Sequence, residues 1–399
     1  MRRVAELGWL PKIDLISTVS GGSIIGAFLA LRWPDLLEAG ADGNAFEKVI
    51  CRPFLDVVQN HNFLRQWLLG SWRWPFKKLR NTRFTRTDDA AALLDRWFFG
   101  GAYCTSLPES PVLVLNATSL QSIRSWRFTK GGLGDSRIGY APWNDKPLTL
   151  GTCVGCSAAF PPVFPPVRIE RKNYDFSGSV YGETKVPDYP LIPLNDGGVY
   201  DNSGLEALIK SISLPGLDFQ IEPADFLIVS DGGAPAKYRF NSAGLPGIGD
   251  ALLLYRVDEI AREQVSALRT RWLLSQMVSG ERSGVFVSLK SEVARIGKEP
   301  LRQYCARVQQ NCLMPADLLS KIRGIRTSLD RFNPAEVMAL MYHAYMMTDA
   351  FLWHYRDSYP SAYQLERAAP PGWLIEFTPT IVAEWNESLR RSASVLCWR

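Results

Sequence analysis

The sequence predicts an α/β protein with a mostly parallel central sheet and a mainly helical C-terminal extension. Apolar runs of strand length end at glycine-rich turns, and helical patterns open directly after those turns. Such βα units place parallel strands in one sheet with helices on its faces. After about residue 240 helical periodicity dominates. We therefore assign residues 1–235 to an α/β core and residues 236–399 to a helical region packed on it.

The elements of the core follow from local patterns. The first unit is a strand at Ile13–Val19, a turn at Ser20-Gly21-Gly22 and a helix at Ser23–Trp33. Apolar or alternating runs indicate the later strands, and amphipathic spacing indicates the later helices. Residues 131–166 are predicted to be mainly loop, because four prolines lie between positions 161 and 166. The other predicted strands are Val112–Ala117, Ile123–Phe128, Leu191–Leu194 and Asp225–Ser230, and the other helices are Phe46–Val58, Asp88–Phe98 and Gly204–Ile212.

The C-terminal region carries long helical patterns with one strand among them. Proline or threonine stands at the start of several of these helices, where its missing N–H or its capping hydroxyl is favourable. The predicted helices are Ala251–Val278, Pro315–Gly324, Pro334–Tyr355 and Thr380–Arg391, and the strand is Val285–Leu289.

Composition and charge exclude several classes of protein. With 46% hydrophobic and 21% charged residues, the 399-residue chain is not disordered, collagen-like or a coiled coil. Its net charge of +5 is too small to indicate a nucleic-acid-binding protein. Residues 64–86 contain seven of the 45 basic residues and no acidic residue, so the remainder has 38 basic against 40 acidic residues. The basic excess is therefore local.

Cysteine and histidine patterns indicate neither a disulfide framework nor a metal site. Seven cysteines in a chain of this length fit a reducing compartment. Cys153 and Cys156 form a single C-x-x-C, which we interpret as small residues in a tight loop. The sequence contains no metal, nucleotide or flavin motif, so we expect no cofactor and no metal. It also contains no apolar run of membrane-spanning length and no signal peptide, which predicts a cytoplasmic protein or one peripheral to the inner membrane face.

The turn Thr18-Val19-Ser20-Gly21-Gly22 is the strongest chemical feature. A serine between a strand and a helix projects its hydroxyl above the sheet, and the Gly21 N–H at the helix N-terminus can meet a developing oxyanion. Thr18 stands where such turns usually have glycine. The alternative is a helix-capping serine followed by glycines that ease a tight turn.

A serine nucleophile needs a base, and the histidines are poorly placed to supply it. His61, His343 and His354 lie in helical stretches. Asp196 and Asp231 each begin a D-G-G turn after an apolar run, so either could lie beside Ser20 and accept its proton. The alternative for each is a turn that glycine permits. At most one is expected to be catalytic.

The chain resembles the patatin-like phospholipases through most of its first 235 residues. The resemblance lies in separate blocks, with a further C-terminal segment similar to bacterial members. The blocks are LGWLPKIDLISTVSGGSIIGAF (7–28), LNATSLQSIRSWRF (115–128), CSAAFPPVFPPV (156–167), LNDGGVYDNSGLEAL (194–208) and LIVSDGGAP (227–235), and the C-terminal segment is RTSLDRFNPAEVMALMYHAY (326–345).

The resemblance implies a three-layer αβα fold and a Ser–Asp dyad without histidine. It places the nucleophile on Ser20 and the base on Asp196, and it makes Asp231 a structural turn residue. The implied reaction is hydrolysis of a phospholipid or lysophospholipid ester through an acyl-serine. The alternatives are an impaired lipid-binding protein of the same fold and a lipid acyltransferase. The glycines expected to support the site are Gly21 at the oxyanion and Gly22, Gly197 and Gly198 in the turns.

One departure from the family affects the expected rate. Family members carry a glycine-rich loop upstream of the nucleophile that supplies most of the oxyanion hole. Only 19 residues precede Ser20, and none forms such a loop. We therefore expect that the chain begins inside the domain and that its catalysis is weak or absent, since loss of one donor typically costs about 100- to 1000-fold in rate.

The basic segment 64–86 also contains several aromatic residues. Tryptophan favours the membrane interface and clustered cations favour anionic headgroups, so Trp72, Trp74, Lys77, Lys78 and Arg80 are predicted to dock on a lipid surface. The alternative is a solvated basic loop with its tryptophans in the core. Nucleic-acid binding is disfavoured because no recognised module surrounds the segment.

Overall fold

A computed structural model of the chain describes residues 1–161, 163–177, 189–210, 224–233, 248–325, 330–360, 363 and 370–392. The contacts divide the chain into two compact units. The first consists mainly of Met1–Ala224, and the second mainly of Asp225–Thr327 and Asn333–Val395.

The first unit is built on a seven-stranded sheet in which most neighbours are antiparallel. The order is β5-β4-β3-β2-β7-β6, and β1 also pairs with β2. Among the described pairings of this sheet, only that of β1 with β2 is parallel. The strands are β1 (Leu15–Val19), β2 (Val112–Ser119), β3 (Arg124–Phe128), β4 (Gly132–Asp135), β5 (Gly139–Pro142), β6 (Val167–Glu170) and β7 (Leu191–Asp196).

The expected mostly parallel central sheet, and the αβα arrangement built on it, were therefore wrong. Connections of three or four residues join β2 to β3, β3 to β4 and β4 to β5. Connections this short can only form hairpins, whose strands are antiparallel, whereas a parallel pair needs a crossover of a dozen or more residues. Such a crossover joins β1 to β2. The predicted α/β class and the mainly helical C-terminal region agree with the structure.

The first unit also contains a series of helices, and short 3₁₀ and π turns connect several of them. The predicted helix Phe46–Val58 corresponds to α4, a π turn and α5, and Asp88–Phe98 to α8 and a second π turn. The helices are α1 (Arg2–Glu6), α2 (Gly21–Leu31), α3 (Trp33–Glu38), α4 (Gly43–Phe46), α5 (Arg52–Asn60), α6 (Phe63–Gly70), α7 (Trp74–Arg80), α8 (Arg86–Leu94), α9 (Leu150–Ser157), α10 (Gly198–Asp201) and α11 (Glu206–Ile209).

Helix α9 corrects two expectations, because it lies in the stretch predicted to be loop and carries the C-x-x-C pair. Thr149 caps it by accepting a hydrogen bond from the Thr152 N–H. Its glycines allow close packing on α8, since a Cβ at Gly155 would lie 2.6 Å from the Cβ of Ala91. Cys153 and Cys156 are fully buried helical residues. The tight-loop interpretation of this pair was therefore wrong.

The second unit contains a parallel pair of strands and five helices among its described residues. β8 (Phe226–Asp231) pairs in parallel with β9 (Ser283–Ser288), and α12 (Ile248–Val278) lies between them in sequence. Asn333 and Glu336 form a capping box at the start of α15. None of the described helices is both long and apolar enough to cross a bilayer. The remaining helices are α13 (Lys298–Val308), α14 (Ala316–Ile322), α15 (Pro334–His354) and α16 (Pro379–Ser392).

Candidate active site

Strands β1 and β7 meet end to end on one edge of β2, and this arrangement creates the site. β3 occupies the other edge of β2 along Leu115–Ser119. β1 runs parallel to β2 and ends with Val19 beside Asn116. β7 runs antiparallel to β2 and ends with Asp196 beside Ala117. Since these partners are adjacent in β2, the C-terminal ends of β1 and β7 meet on the same edge of that strand.

Ser20 follows β1 in a strained backbone conformation. Its φ of 53° and ψ of −127° lie in a region that residues with a side chain rarely adopt. The Ser20 N–H donates a hydrogen bond to Ser157 Oγ at 3.0 Å. Ser157 Oγ in turn donates to the Asn116 carbonyl at 2.6 Å and lies 2.8 Å from Ser23 Oγ. The sharp turn is thus held by a buried serine at the end of α9.

The Ser20 hydroxyl donates a hydrogen bond to the Asp196 carboxylate. The distance from Ser20 Oγ to Asp196 Oδ2 is 2.7 Å. The other carboxylate oxygen, Oδ1, accepts the Gly198 N–H at 2.7 Å. Asp196 is only 1% exposed. Its backbone is also fixed, because the Thr118 hydroxyl donates to its carbonyl and its N–H donates to the Ala159 carbonyl. The carboxylate is therefore aimed at the serine by both its backbone and its second oxygen.

The glycines after Asp196 are required by close approach of the backbone. A Cβ at Gly197 would lie 2.3 Å from the Asn116 carbonyl oxygen. A Cβ at Gly198 would lie 2.7 Å from Asn202 Oδ1 and 3.0 Å from Asp196 Oδ1. Any side chain here would displace the strand end that carries the carboxylate.

Gly21 and Gly22 form the exposed N-terminus of the 11-residue helix α2. Apart from the chain neighbours and the helix's own backbone, no atom lies within 4 Å of the position that a Cβ would occupy on either residue. The first N–H groups of a helix have no intrahelical acceptor, and the helix dipole makes this end positive. Beside Ser20, these N–H groups can stabilise a negatively charged oxygen.

The other acid–base candidates lie elsewhere. Asp231 ends β8 in the second unit, where its Oδ1 accepts the Gly233 N–H at 2.8 Å. His61 stacks on Trp97 and His354 packs edge-on against Tyr355. His343 is buried in α15, and burial, with a smaller contribution from Arg323, lowers its pKa to about 4. In the described part of the chain, no group of three or more His, Cys, Asp or Glu could hold a metal ion.

The residues predicted to dock on lipid lie in α7 and the 3₁₀ turn before it. Trp72 and Arg80 are exposed, whereas Trp74 is half-buried beneath the Lys78 ammonium at 4.8 Å from its ring centroid. Lys77 forms an ion pair with Asp89. Residues 63–80 are helical, so the alternative of a solvated loop was wrong for this stretch. Its second part, tryptophans in the core, holds for Trp67, which is buried, but not for Trp72, which is exposed.

Two residues that position the site were missed by the sequence reasoning. These are Ser157, described above, and Asn116, whose Nδ2 donates to Ser17 Oγ and to the Thr18 carbonyl. Both occur in the blocks that carry the family resemblance. Their presence there was the available signal, but nothing in their local sequence indicated which contacts they make.

The fold and site define an α/β protein with a serine on a strained strand–helix turn beside a buried aspartate. A family model described as patatin-like phospholipase matches residues 2–209, which is more than half of the chain. The chain therefore belongs to the patatin-like phospholipase family, whose members are in general lipid acyl hydrolases. Searches of curated proteins and of solved structures each found no match.

Proposed function

We propose that the protein hydrolyses an acyl ester of a phospholipid or lysophospholipid, with Ser20 as nucleophile and Asp196 as general base. The observation that carries this proposal is the 2.7 Å hydrogen bond from Ser20 Oγ to the buried Asp196 carboxylate. A base within hydrogen-bond reach of a nucleophile is the basic requirement for activating a hydroxyl.

In the first half-reaction, Asp196 accepts the Ser20 proton as Oγ attacks the ester carbonyl carbon. The electron pair of the carbonyl moves to its oxygen, which becomes an oxyanion. When the carbonyl re-forms, the bond to the leaving alcohol breaks, and Asp196 gives its proton to that oxygen. The fatty acyl group is then bound to Ser20 as an ester, and Asp196 is again a carboxylate.

In the second half-reaction, water takes the place of the departed alcohol. Asp196 accepts a proton from the water as it attacks the acyl-serine carbonyl. Collapse of the second tetrahedral intermediate breaks the bond to Ser20 Oγ, which regains a proton from Asp196. The fatty acid leaves and the dyad returns to its starting state.

The N-terminus of α2 is the proposed site of oxyanion stabilisation. The oxyanion forms on a carbonyl bonded to Ser20 Oγ, next to the Gly21 N–H. An aligned backbone donor stabilises the transition state more than the neutral ester, because the oxygen gains charge during the attack. Gly21 is exposed, so a substrate can reach it.

Covalent labelling followed by product analysis tests the proposal. A fluorophosphonate probe should label the full chain, fail to label Ser20→Ala, and still label Ser320→Ala, which changes a serine on α14. Incubation with phospholipid and lysophospholipid should release fatty acid only when Ser20 is present. Equal labelling of Ser20→Ala, or release of fatty acid by that variant, would show that another group does the chemistry.

The same experiment separates the two alternatives. If an added acceptor alcohol collects the acyl group in place of water, the protein is an acyltransferase. If neither label nor product appears while the protein binds lipid, it is a non-catalytic lipid-binding member of the fold. Either result would replace the hydrolase proposal.

A further inference from the structure

Helices α6 and α7 and the 3₁₀ turn between them present a row of exposed apolar side chains. Leu69, Trp72, Phe76 and Leu79 are 56%, 65%, 69% and 85% exposed. Their spacing of three, four and three residues places them on one side of a continuous helical segment. Large apolar groups that cluster on a surface indicate an interaction site rather than ordinary solvent exposure.

The opposite side of the same segment is firmly packed on the first unit. Phe63 and Trp67 are buried. The Trp67 ring lies 4.8 Å from that of Phe164, and its indole N–H donates to the Arg86 carbonyl at 2.9 Å. The apolar row is therefore the outward side of an anchored element, since the inward side already has its own apolar contacts.

Cations flank the exposed row. Arg73, Lys78 and Arg80 are exposed, and among the described residues no carboxylate pairs with Lys78 or Arg80. The Arg73 guanidinium lies 5.0 Å from the Trp72 ring centroid. A positive charge and an aromatic ring are therefore adjacent on this surface. Exposed tryptophan beside unpaired cations matches the boundary between acyl chains and anionic headgroups.

A short series of contacts connects the segment to the dyad. The Ala159 carbonyl accepts the Asp196 N–H, and Ser157 holds Ser20. Phe164, which packs on Trp67, lies next to this region, because its N–H donates to the carbonyl of Phe160, the residue after Ala159, at 3.0 Å. A surface that binds this segment is thus brought close to Ser20.

We propose that residues 63–80 dock the protein on an anionic phospholipid bilayer. The row formed by Leu69, Trp72, Phe76 and Leu79 enters the boundary of the acyl chains, while Lys78 and Arg80 bind anionic headgroups. The purpose of docking rests on the proposed lipid hydrolysis, but the binding itself requires neither Ser20 nor Asp196. Lys77 contributes less, because Asp89 already neutralises it.

Vesicle sedimentation with full-chain Ser20→Ala tests this inference without consuming the lipid. The protein should bind vesicles of phosphatidylcholine mixed with phosphatidylglycerol and bind phosphatidylcholine alone much more weakly. Lys78→Gln and Arg80→Gln should each weaken binding about fivefold, and both together about 25-fold. Trp72→Ala and Phe76→Ala should each weaken it by about tenfold or more.

Matched controls come from exposed residues outside the segment. Arg302→Gln removes a cation from α13, and Leu254→Ala removes an exposed apolar side chain from α12. Both should bind vesicles as the parent does, and all variants should keep the parent's thermal unfolding midpoint. Equal binding to vesicles with and without phosphatidylglycerol would overturn the inference. Unchanged binding by the variant that lacks both Lys78 and Arg80 would also overturn it. So would a dimer that Phe76→Ala converts to a monomer without any change in vesicle binding.

Activity measurements distinguish failure of docking from failure of the proposed function. For activity measurements the docking variants are made in the protein that retains Ser20. Their rates on a water-soluble monomeric ester should stay within about twofold of the parent rate, and only their rates on anionic vesicles should fall. If no ester is hydrolysed but Ser20→Ala still binds anionic vesicles selectively, docking stands and the hydrolase proposal fails. If hydrolysis depends on Ser20 but the variants act on vesicles like the parent, docking fails.

Discussion

The Cγ2 methyl of Thr18 occupies the space that a side chain at Gly26 would need. A Cβ built on Gly26 would lie 2.4 Å from that methyl group. Nucleophile turns usually place glycine two residues before the serine, because the chain folds back sharply there. In this protein the larger residue stands on the strand and the glycine stands on helix α2. Strand and helix still approach closely, but the small residue that permits this lies on the helix instead of the strand.

We expect Gly26→Ala to destabilise the protein by about 1–2 kcal/mol, because overpacking outweighs the gain in helix propensity. Adding Thr18→Ser should recover most of the loss, since serine lacks the methyl group but keeps the hydroxyl that accepts a hydrogen bond from Ser23. Urea denaturation of the single and double variants measures the coupling energy. Equal free energies of unfolding for Gly26→Ala with and without Thr18→Ser would contradict this account.

Asp196 and Asp231 have the same local turn, which provides a matched comparison for catalysis. In each, Oδ1 accepts the N–H two residues later, at 2.7 and 2.8 Å. We expect Asp196→Asn to lower ester hydrolysis by about 100- to 10,000-fold, the usual range for loss of a general base. Asp231→Asn should keep the parent rate. Initial rates on one ester, with circular dichroism as the folding check, decide the matter, and equal losses in both variants would remove Asp196 as the base.

Ser157 is expected to act through Ser20 rather than on substrate. Ser157→Ala leaves the Ser20 N–H without its acceptor, so we expect the free energy of unfolding to fall by about 1–3 kcal/mol. The displaced nucleophile should also lower kcat by about 10- to 100-fold, with KM nearly unchanged.

Ser122→Ala is the control for that prediction. Ser122 is equally buried in the same unit, and its hydroxyl donates to the Asp135 carboxylate. This variant should lose comparable stability and keep its kcat. If both variants lower kcat alike, Ser157 has only a structural role.

Buried His343 should make the protein sensitive to acid. Burial is the main cause that lowers the pKa of His343 to about 4 from its usual 6.5, and the charge of Arg323 adds to the effect. The unfolded chain therefore binds a proton below pH 6.5 that the folded chain takes up only near pH 4. The stabilisation is complete above pH 6.5 and is lost as pH falls towards 4, by up to about 3 kcal/mol.

Urea denaturation between pH 8 and pH 4 checks this, with His343→Gln as the comparison. The variant should be less stable than the parent at pH 8 and should show a smaller loss of stability on acidification. Parallel stability profiles for the two proteins would mean that other groups cause the acid sensitivity.

The strand–turn–helix unit at Ser20 could be predicted because its signals are local. An apolar run, a Ser-Gly-Gly turn and a helical pattern all lie within about twenty residues. Helix α9 was missed for a physical reason. It is rich in glycine, cysteine and serine, which are weak helix formers, and it is buried nearly all around, so it shows no polar face. Packing against α8 stabilises it instead.

The sheet was wrongly predicted because strand direction is a property of connections and pairing. The runs at β2 and β3 were found, but β4 and β5 are only four residues long and include glycines. Strands this short carry little periodic signal, and without them the hairpins that make the sheet antiparallel were not visible.

By itself, the sequence determined which residues could do chemistry: a serine on a sharp turn, and two aspartates on equivalent D-G-G turns. It determined these because turn geometry depends on neighbouring residues. Only the tertiary structure decided which carboxylate lies beside the serine, since Ser20 and Asp196 are 176 positions apart and meet where β1 and β7 converge on β2. It also decided which side of residues 63–80 is buried. Both outcomes follow from contacts between distant parts of the chain, which no local pattern contains.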